Sequence, residues 1–252
     1  ASITVDTTAD AGTVAVNTIA GDDVINASES GAATIAVSGT ATGGDISVGD
    51  TVTVSVNGSD YTTTVGTGGA YTVNVTTSDL IADNSVAVSV ASSDAAGNAV
   101  TSTGSASISV DTTADAGTVT VSTIAGDDII NASESGAATI AVAGIATGGD
   151  IALGDTVTVS VNGTDYTTTV GAAGAYTVNV DTADLITDNS VAVSVASSDA
   201  AGNTVTSTGS STITVDTSAD AGTVTVNTIA GDDVINASES GAATIAVSGT
   251  AT

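Results

Sequence analysis

Carboxylates are the side chains in this sequence that could do chemistry, and they return at a fixed spacing. A motif Val-Asp-Thr-(Thr/Ser)-Ala-Asp supplies the pairs Asp6 and Asp10, Asp111 and Asp115, and Asp216 and Asp220. A second motif, Gly-Asp-Asp-(Val/Ile)-Ile-Asn-Ala-Ser-Glu, follows each pair and supplies Asp22, Asp23 and Glu29, then Asp127, Asp128 and Glu134, then Asp232, Asp233 and Glu239. Oxygen ligands without nitrogen or sulfur suit a hard cation, Ca²⁺ before Mg²⁺.

No basic side chain is present to neutralise these carboxylates. The chain has 28 Asp and Glu, no Lys, Arg or His, and a formal net charge of −28. Two carboxylates about 4 Å apart repel by up to about 4 kcal/mol at an effective dielectric near 20. Recurring acidic groups therefore predict bound Ca²⁺. The alternative is a set of solvated acidic loops that keep the protein soluble.

The composition also argues against several classes of function. A polyanion cannot neutralise phosphates or adsorb to an anionic membrane, so we expect no nucleic-acid partner and no direct membrane binding. Without His, Lys, Arg or Cys, most general bases and nucleophiles are missing, so we expect no enzyme. A carbohydrate-binding or hydrolytic module remains an alternative, disfavoured because the chain has four Tyr but no Phe or Trp.

The two motifs mark a repeat of 105 residues, which indicates an array of domains. The predicted divisions are residues 1–5, the last strand of a preceding repeat; 6–110 and 111–215, two full repeats; and 216–252, the first two strands of a third. Because the sequence does not begin with Met, we expect a piece of something longer. We call the domain that each full repeat forms a bead.

Within a repeat the apolar residues alternate with polar ones, which is typical of half-buried strands. Thr-Val-Thr-Val-Ser-Val at 51–56, followed by Asn57-Gly58, predicts a strand and a hairpin turn. Seven such strands in about a hundred residues predict an all-β fold, a seven-stranded β-sandwich in tandem copies. Tyr61 and Tyr71 are in phase with the inward valines, so we expect them in the core.

Alternating strand directions assign the loops of a bead to two ends. The lower pole takes loops 20–32, 57–60 and 76–84, and the upper pole takes loops 42–50, 66–70 and 93–98. The joint, which we define as residues 111–115, then lies between the lower pole of one bead and the upper pole of the next. Asp94 and Asp199, in Ser-Asp-Ala-Ala-Gly-Asn, lie at the upper poles and complete the predicted metal-ligating set.

These motifs resemble the bacterial immunoglobulin-like extender repeats of giant surface adhesins. Ser-Asp-Ala-Ala-Gly-Asn-(Ala/Thr)-Val at 93–100 and 198–205 carries the resemblance together with the two acidic motifs. Such adhesins are calcium-dependent, are exported by type I secretion (the RTX class), and include biofilm-associated proteins and a large ice-binding adhesin. The resemblance implies Ig-like sandwiches, Ca²⁺ at the linkers and a surface location on a Gram-negative outer membrane. Its implied ligands are Asp111, Asp115, Asp127, Asp128, Glu134 and Asp199.

The leading hypothesis is therefore a structural extender that projects a ligand-binding tip, with neighbouring repeats of the same chain as its partners. We expect monomeric beads in a long chain. The main alternative is a self-assembling module of a surface layer or biofilm fibre.

Overall fold

The structure, a computed structural model, describes residues 2–252. It contains two separate hydrophobic cores, one running from Val14 to Ile108 and the other from Val119 to Ile213. Ala1 lies outside the described residues. Residues 2–12 contain no strand, and the first strand begins at Thr13. Each core is the interior of one bead.

The first bead is built from nine strands, two short helices and one 3₁₀ turn. The strands are β1 (Thr13–Val16), β2 (Val24–Ile25), β3 (Thr34–Thr42), β4 (Thr51–Val56), β5 (Ser59–Thr64), β6 (Ala70–Thr76), β7 (Ser85–Ser93), β8 (Ala99–Ser107) and β9 (Ser109–Val110). The helices are α1 (Ala27–Ser30) and α2 (Thr77–Ala82), and the 3₁₀ turn is Thr67–Gly69.

The second bead repeats this order, with a 3₁₀ turn where the first has α1. Its strands are β10 (Thr118–Val121), β11 (Ile129–Asn131), β12 (Thr139–Thr147), β13 (Thr156–Val161), β14 (Thr164–Thr169), β15 (Ala175–Asp181), β16 (Ser190–Ser198), β17 (Thr204–Thr212) and β18 (Thr214–Asp216). Its helix is α3 (Thr182–Thr187), and its 3₁₀ turns are Glu134–Gly136 and Ala172–Gly174.

Seven strands make the two layers of each sandwich. In the first bead the sheets have the orders β1-β3-β6 and β5-β4-β7-β8, with every neighbour antiparallel. In the second bead the orders are β10-β12-β15 and β14-β13-β16-β17. The predicted all-β, seven-stranded sandwich in tandem copies is confirmed.

Small β-branched residues fill the space between the layers. In β4 the three valines Val52, Val54 and Val56 are buried, because alternate side chains of a strand point to the same face. Burying each valine stabilises the bead by roughly 1.5–3 kcal/mol. Tyr71 is also buried, as its phase predicts, and its hydroxyl donates to the Ala15 carbonyl oxygen at 2.9 Å.

The end of the bead differs from the sequence-based expectation. The alternation predicted one strand running to Val110, but β8 ends at Ser107 and Ile108 turns into the core. The chain then forms β9, which pairs in parallel with β2, Ile25 opposite Val110. This short pair places the exit of the chain directly beside the acidic loop of the same bead.

Residues 216–252 build no core of their own. They contain β19 (Val224–Val226) paired antiparallel with β20 (Gly249–Ala251), and a 3₁₀ turn at Glu239–Gly241. Every residue of this segment is exposed or half-buried, and Val224 is 76% exposed. Two strands with no opposing sheet cannot bury an apolar face.

Across residues 2–252, none of the helices has the length and apolar character needed to cross a membrane.

The tight contact of β3 with its two neighbours, β1 and β6, gives a first prediction. A Cβ added at Gly39 would collide with the Ala15 carbonyl oxygen and would lie 2.6 Å from Cζ of Tyr71. Gly39→Ala should therefore destabilise the first bead by about 1–3 kcal/mol, and roughly 4–8 °C of melting temperature is lost per kcal/mol in a domain of this size. Calorimetry of the 252-residue chain should show that loss.

Gly31→Ala is the matched control. The added Cβ would lie 3.5 Å from the nearest atom, the Ser28 carbonyl oxygen, and the backbone there is right-handed helical. Its melting profile should match that of the wild type. A Gly39→Ala protein that melts like the Gly31→Ala protein would show that the β1–β3–β6 layer is looser than described.

Candidate functional site

The chain leaves the first bead hydrogen-bonded to the loop that carries its acidic motif. The Ser109 N–H donates to the Asp23 carbonyl oxygen at 2.9 Å, and the Asp111 N–H donates to the Ile25 carbonyl oxygen at 3.1 Å. The second bead repeats the first contact, with the Thr214 N–H donating to the Asp128 carbonyl oxygen at 2.8 Å. The joint therefore starts from a fixed point on the lower pole.

The acidic loop is folded around its own carboxylates. Asp23 Oδ1 accepts from the Ile19 N–H at 2.8 Å, and Asp22 Oδ1 accepts from the N–H two residues on at 2.9 Å. Asn26 and Glu29 form a capping box on α1, in which the Asn26 side chain accepts from Glu29 N and Glu29 Oε2 accepts from Asn26 N. Each of these three carboxylates uses one oxygen, and within residues 2–252 its second oxygen accepts no hydrogen bond.

The joint enters the second bead through a reciprocal pair of bonds at the upper pole. The Asp115 N–H donates to Asp150 Oδ2 at 2.6 Å, and the Asp150 N–H donates to the Asp115 carbonyl oxygen at 2.9 Å. Asp10 and Asp45 make the same pair of bonds in the first bead, at 2.7 and 2.9 Å. Both ends of the joint are thus anchored, one on each bead.

Asn203 connects the two beads directly. Its Oδ1 accepts from the Ala27 N–H of the first bead at 2.7 Å, and its Nδ2 donates to the Asp111 carbonyl oxygen at 2.9 Å and to Asp199 Oδ2 at 2.7 Å. Its own N–H donates to Asp199 Oδ1 at 2.8 Å. The amide of Asn203 lowers the pKa of the Asp199 carboxyl, because hydrogen bonds to the ionised form favour it.

The predicted ligands are distributed over the joint and the two poles of each bead. In the part of the chain that the structure describes, residues 2–252, no three acidic side chains lie close enough together to hold a metal ion between them. Asp6 is exposed at the upper pole of the first bead with Asp10, while Asp94 contacts Asn98 there. The other predicted ligands occupy the corresponding positions of the later repeats. These are Asp127, Asp128 and Glu134 at the lower pole of the second bead, and Asp216, Asp220, Asp232, Asp233 and Glu239 in the third repeat.

The donor chemistry of the joint nevertheless fits a hard cation. Ca²⁺ takes six to eight oxygen ligands, and backbone carbonyls, side-chain amides and water serve beside carboxylates. The joint and the two poles offer carboxylates whose second oxygen accepts no hydrogen bond within the described residues 2–252, for example those of Asp22 and Asp111. No nitrogen or sulfur ligand competes, because the sequence contains no His and no Cys.

A second acidic network at the lower pole was missed by the sequence reasoning. The hydroxyl of Tyr61 on β5 donates to Asp79 Oδ2 on α2, and the Asn57 side chain donates to Asp79 Oδ1 at 3.1 Å. These bonds, the Tyr61 bond foremost, lower the pKa of Asp79 to about 2. Asp60, expected in a lower-pole loop, lies instead on β5 and accepts from the Ser55 hydroxyl.

No protein-family model matches the chain, and no curated protein does. Among solved structures, a Ca²⁺-stabilized adhesin that helps an Antarctic bacterium reach out and bind ice is 63% identical, with a TM-score of 0.80. That match covers 98% of this chain and 59% of the other. A second structure, which gives insight into the host cell surface retention of a 1.5-MDa bacterial ice-binding adhesin, is 54% identical, with a TM-score of 0.78. That match covers 84% of this chain and 66% of the other.

The fold and the joints define a class, a linear array of immunoglobulin-like β-sandwiches. At the identities and coverage just given, the chain belongs to the immunoglobulin-like repeats of large bacterial surface adhesins. It spans 59% of the length of the first relative and 66% of the length of the second. The predicted family is confirmed.

The Tyr61–Asp79 network predicts a specific acid sensitivity. Asp79 has a lowered pKa in the folded bead, so its stabilising effect is full above its unfolded pKa of about 3.8 and is lost as the pH falls towards 2. In Tyr61→Phe the main hydrogen bond is absent, and the Asp79 pKa should move up towards 3.8. Carboxyl-carbon NMR titration between pH 7 and 2 measures that change.

Tyr71→Phe is the control, because the Tyr71 hydroxyl donates to a backbone carbonyl and to no carboxylate. Its loss of melting temperature should be the same at pH 7 and pH 3. The loss of melting temperature caused by Tyr61→Phe should be smaller at pH 3 than at pH 7. An Asp79 carboxyl that titrates identically in the wild type and in Tyr61→Phe would contradict the assignment.

Proposed function

We propose that this chain is part of the extender region of a large cell-surface adhesin, in which each bead adds length and each joint fixes the direction of the next bead. The observation that carries the proposal is the peptide environment of Asp111. Its N–H is bonded to the first bead through Ile25, and its carbonyl oxygen is bonded to the second bead through Asn203. A linker held from both sides favours a rod over a flexible string.

The relatives support the same role. The Antarctic adhesin is described as helping its bacterium reach out, and the 1.5-MDa adhesin is described in terms of retention at the host cell surface. For this chain, the corresponding proposal is a spacer on the outside of a Gram-negative cell that carries a binding tip away from the outer membrane. Its direct partners are neighbouring repeats, and the role requires no catalysis.

The second part of the proposal is that calcium binds at the joint. The carboxylates near the joint include those of Asp22 and Glu29 on the lower pole, Asp111 and Asp115 in the joint, and Asp150 on the upper pole of the next bead. With no basic side chain in the sequence, these groups repel one another and oppose the approach of the two poles. When bound, Ca²⁺ supplies the positive charge that offsets this repulsion, and the chain supplies oxygen ligands from both beads and the joint.

The calcium affinity expected of such a site suits an extracellular location. Extracellular calcium modules bind with dissociation constants of about 10⁻⁴–10⁻³ M. Such sites would be empty at intracellular calcium levels and filled in a calcium-rich medium. At a hundredfold excess over the dissociation constant, one site that is specific for the native state adds about 2.7 kcal/mol of stability. That is a large share of the total for a small domain.

The test is the paired substitution Asp111→Asn with Asp115→Asn in the 252-residue chain. Wild type should gain roughly 10 °C or more in melting temperature when calcium replaces chelator, since about 2.7 kcal/mol corresponds to that shift in a domain of this size. The double variant should lose most of this gain, and small-angle scattering should show a more bent two-bead particle in calcium. Asn is nearly the same size as Asp, and the substitution leaves the backbone hydrogen bonds of both residues in place. The variant therefore differs from wild type mainly in the two lost charges.

The chain provides its own control in Asp6→Asn with Asp10→Asn. These residues occupy the same motif ahead of the first bead and lie outside the joint between the two beads. The control variant should keep the stiffening of that joint by calcium. If chelator changes neither the melting temperature nor the bead-to-bead flexibility of wild type, the calcium mechanism is wrong and the acidic poles only solubilise the surface.

A further inference from the structure

We propose that Asn57 and Asn162 are sites of spontaneous deamidation, and that the carboxylates of Asp79 and Asp184 slow the reaction by holding the side-chain amide of each asparagine. The inference concerns a chemical modification of the two β-hairpins that turn through Asn-Gly. It goes beyond the proposed extender function and depends neither on that function nor on calcium. The sequence motif and the hydrogen bonds of the hairpins support it together.

Deamidation of an Asn-Gly pair needs no enzyme. The backbone nitrogen of the glycine attacks Cγ of the asparagine, so that a new N–Cγ bond forms and the Cγ–Nδ2 bond breaks. Nδ2 leaves as ammonia and takes the proton of the glycine N–H. Water then opens the resulting five-membered succinimide at either of its carbonyl groups, which leaves aspartate or isoaspartate in place of asparagine. Asparagine is accordingly counted among the thermolabile residues.

The nitrogen that would attack is accessible in both hairpins. Asn57-Gly58 and Asn162-Gly163 are the two places in the sequence where glycine follows asparagine, and all four residues are exposed. A Cβ added at Gly58 would meet nothing within 4 Å, and within residues 2–252 the Gly58 N–H donates no hydrogen bond. Because glycine has no side chain, nothing shields this nitrogen from the neighbouring amide.

An asparagine followed by serine shows the contrast. Asn84 is also exposed, and the small residue Ser85 follows it. The Ser85 N–H, however, donates to Asp83 Oδ1 at 2.9 Å, so the nitrogen that would attack Asn84 is already engaged. The corresponding Asn-Ser pair of the second bead has the same bond at 2.9 Å. We therefore expect deamidation at the Asn-Gly pairs before the Asn-Ser pairs.

A carboxylate on the neighbouring helix holds the side-chain amide of each of these asparagines. In the first bead, Asn57 Nδ2 donates to Asp79 Oδ1 at 3.1 Å, and the Tyr61 hydroxyl donates to Asp79 Oδ2. In the second bead, Asn162 Nδ2 donates to Asp184 Oδ1 at 3.0 Å. An ionised carboxylate is an acceptor only, so Nδ2 and not Oδ1 of the amide faces it. The same arrangement therefore occurs in both beads.

The hydrogen bond to the carboxylate opposes deamidation in two ways. It fixes the orientation of the Asn57 side chain, so that turning Cγ towards the Gly58 nitrogen first requires the bond to break. The attack also places negative charge on Oδ1 of the amide, close to a carboxylate that is already ionised, and two like charges at short range repel. The low pKa of Asp79, about 2 and caused mainly by the Tyr61 hydrogen bond, keeps that carboxylate ionised at neutral and alkaline pH.

Deamidation would break the contact between the hairpin and α2. It replaces the donor Nδ2 of Asn57 by a carboxylate oxygen that faces Asp79, so that an attraction becomes a repulsion. The isoaspartate product also adds a methylene carbon to the main chain of the turn, whereas Val56 and Ser59 pair directly across Asn57 and Gly58. Each event therefore adds a negative charge to the bead and distorts its hairpin.

The test uses one hairpin as the control for the other. The isotope-labelled 252-residue chain is incubated in mildly alkaline buffer, and NMR follows the loss of the side-chain amide signals of Asn57 and Asn162. Asp79→Ala should speed the loss at Asn57 at least about fivefold, the factor that corresponds to one hydrogen bond of about 1 kcal/mol. The rate at Asn162 should stay at the wild-type value. Asp184→Ala should give the reverse result.

Two further measurements separate the loss of the carboxylate from a general loosening of the bead. Gly39→Ala destabilises the first bead through contacts with Ala15 and Tyr71, away from the hairpin, and should leave the rate at Asn57 unchanged. In concentrated urea no carboxylate is held beside an amide. The wild type and Asp79→Ala should therefore lose the Asn57 amide at the same rate in urea, and the wild-type rate should be higher there than in the folded chain.

Either of two results would overturn the inference. Asn57 and Asn162 signals that persist in Asp79→Ala and Asp184→Ala would show that these asparagines are not deamidation sites. A rate at Asn57 that Asp79→Ala leaves unchanged, or that Gly39→Ala raises as much, would show that the Asp79 carboxylate does not protect the amide. Both results would leave the calcium dependence of melting and bending unaffected, so this inference and the proposed function can fail separately.

Discussion

The carboxylates of this chain have no cationic side chain to pair with, and the rest of the structure depends on how they are accommodated. The loops fold around them: backbone N–H groups donate to Asp23, Glu29 and Asp199, and these loops then have defined shapes at the poles. The strands between the poles carry few charges and bury valines. The acidic loops therefore meet where one bead meets the next. The poles, through which each bead contacts the next one in the array, are therefore also the surfaces where its negative charges are concentrated.

Much of the fold follows from the alternation of apolar residues. Thr51–Val56 has a valine at every second position, and the buried face of β4 consists of those valines. Asn57-Gly58 predicted a hairpin, and both residues have positive φ there, 50° and 75°, which is the backbone that Asn and Gly tolerate. Counting strand directions also placed the acidic loops at two poles. The hydrogen bonds of Asp111 to Ile25 and of Asp115 to Asp150 fit that assignment.

Other features had no signal in the sequence. The helices α1 and α2 have four and six residues, too few for a helical period to appear. The parallel pair of β2 and β9 joins residues about 85 positions apart, and only the packing of Ile25 and Ile108 in one core brings them together. Asn203 was visible only as part of a loop motif, because its partner Ala27 is 176 residues away and contributes a backbone N–H, which any residue but proline has.

The central claim is that calcium and the joint together fix the angle between neighbouring beads, and the distance between two spin labels measures it most directly. The sequence has no Cys, so Thr62→Cys and Thr167→Cys, equivalent exposed positions on β5 and β14, can each be labelled uniquely. Double electron–electron resonance on the doubly labelled chain should give a narrow distance distribution in calcium. In chelator the distribution should be clearly broader, because the carboxylates of the two poles and the joint then repel one another. Distributions of equal width in calcium and in chelator would contradict the account.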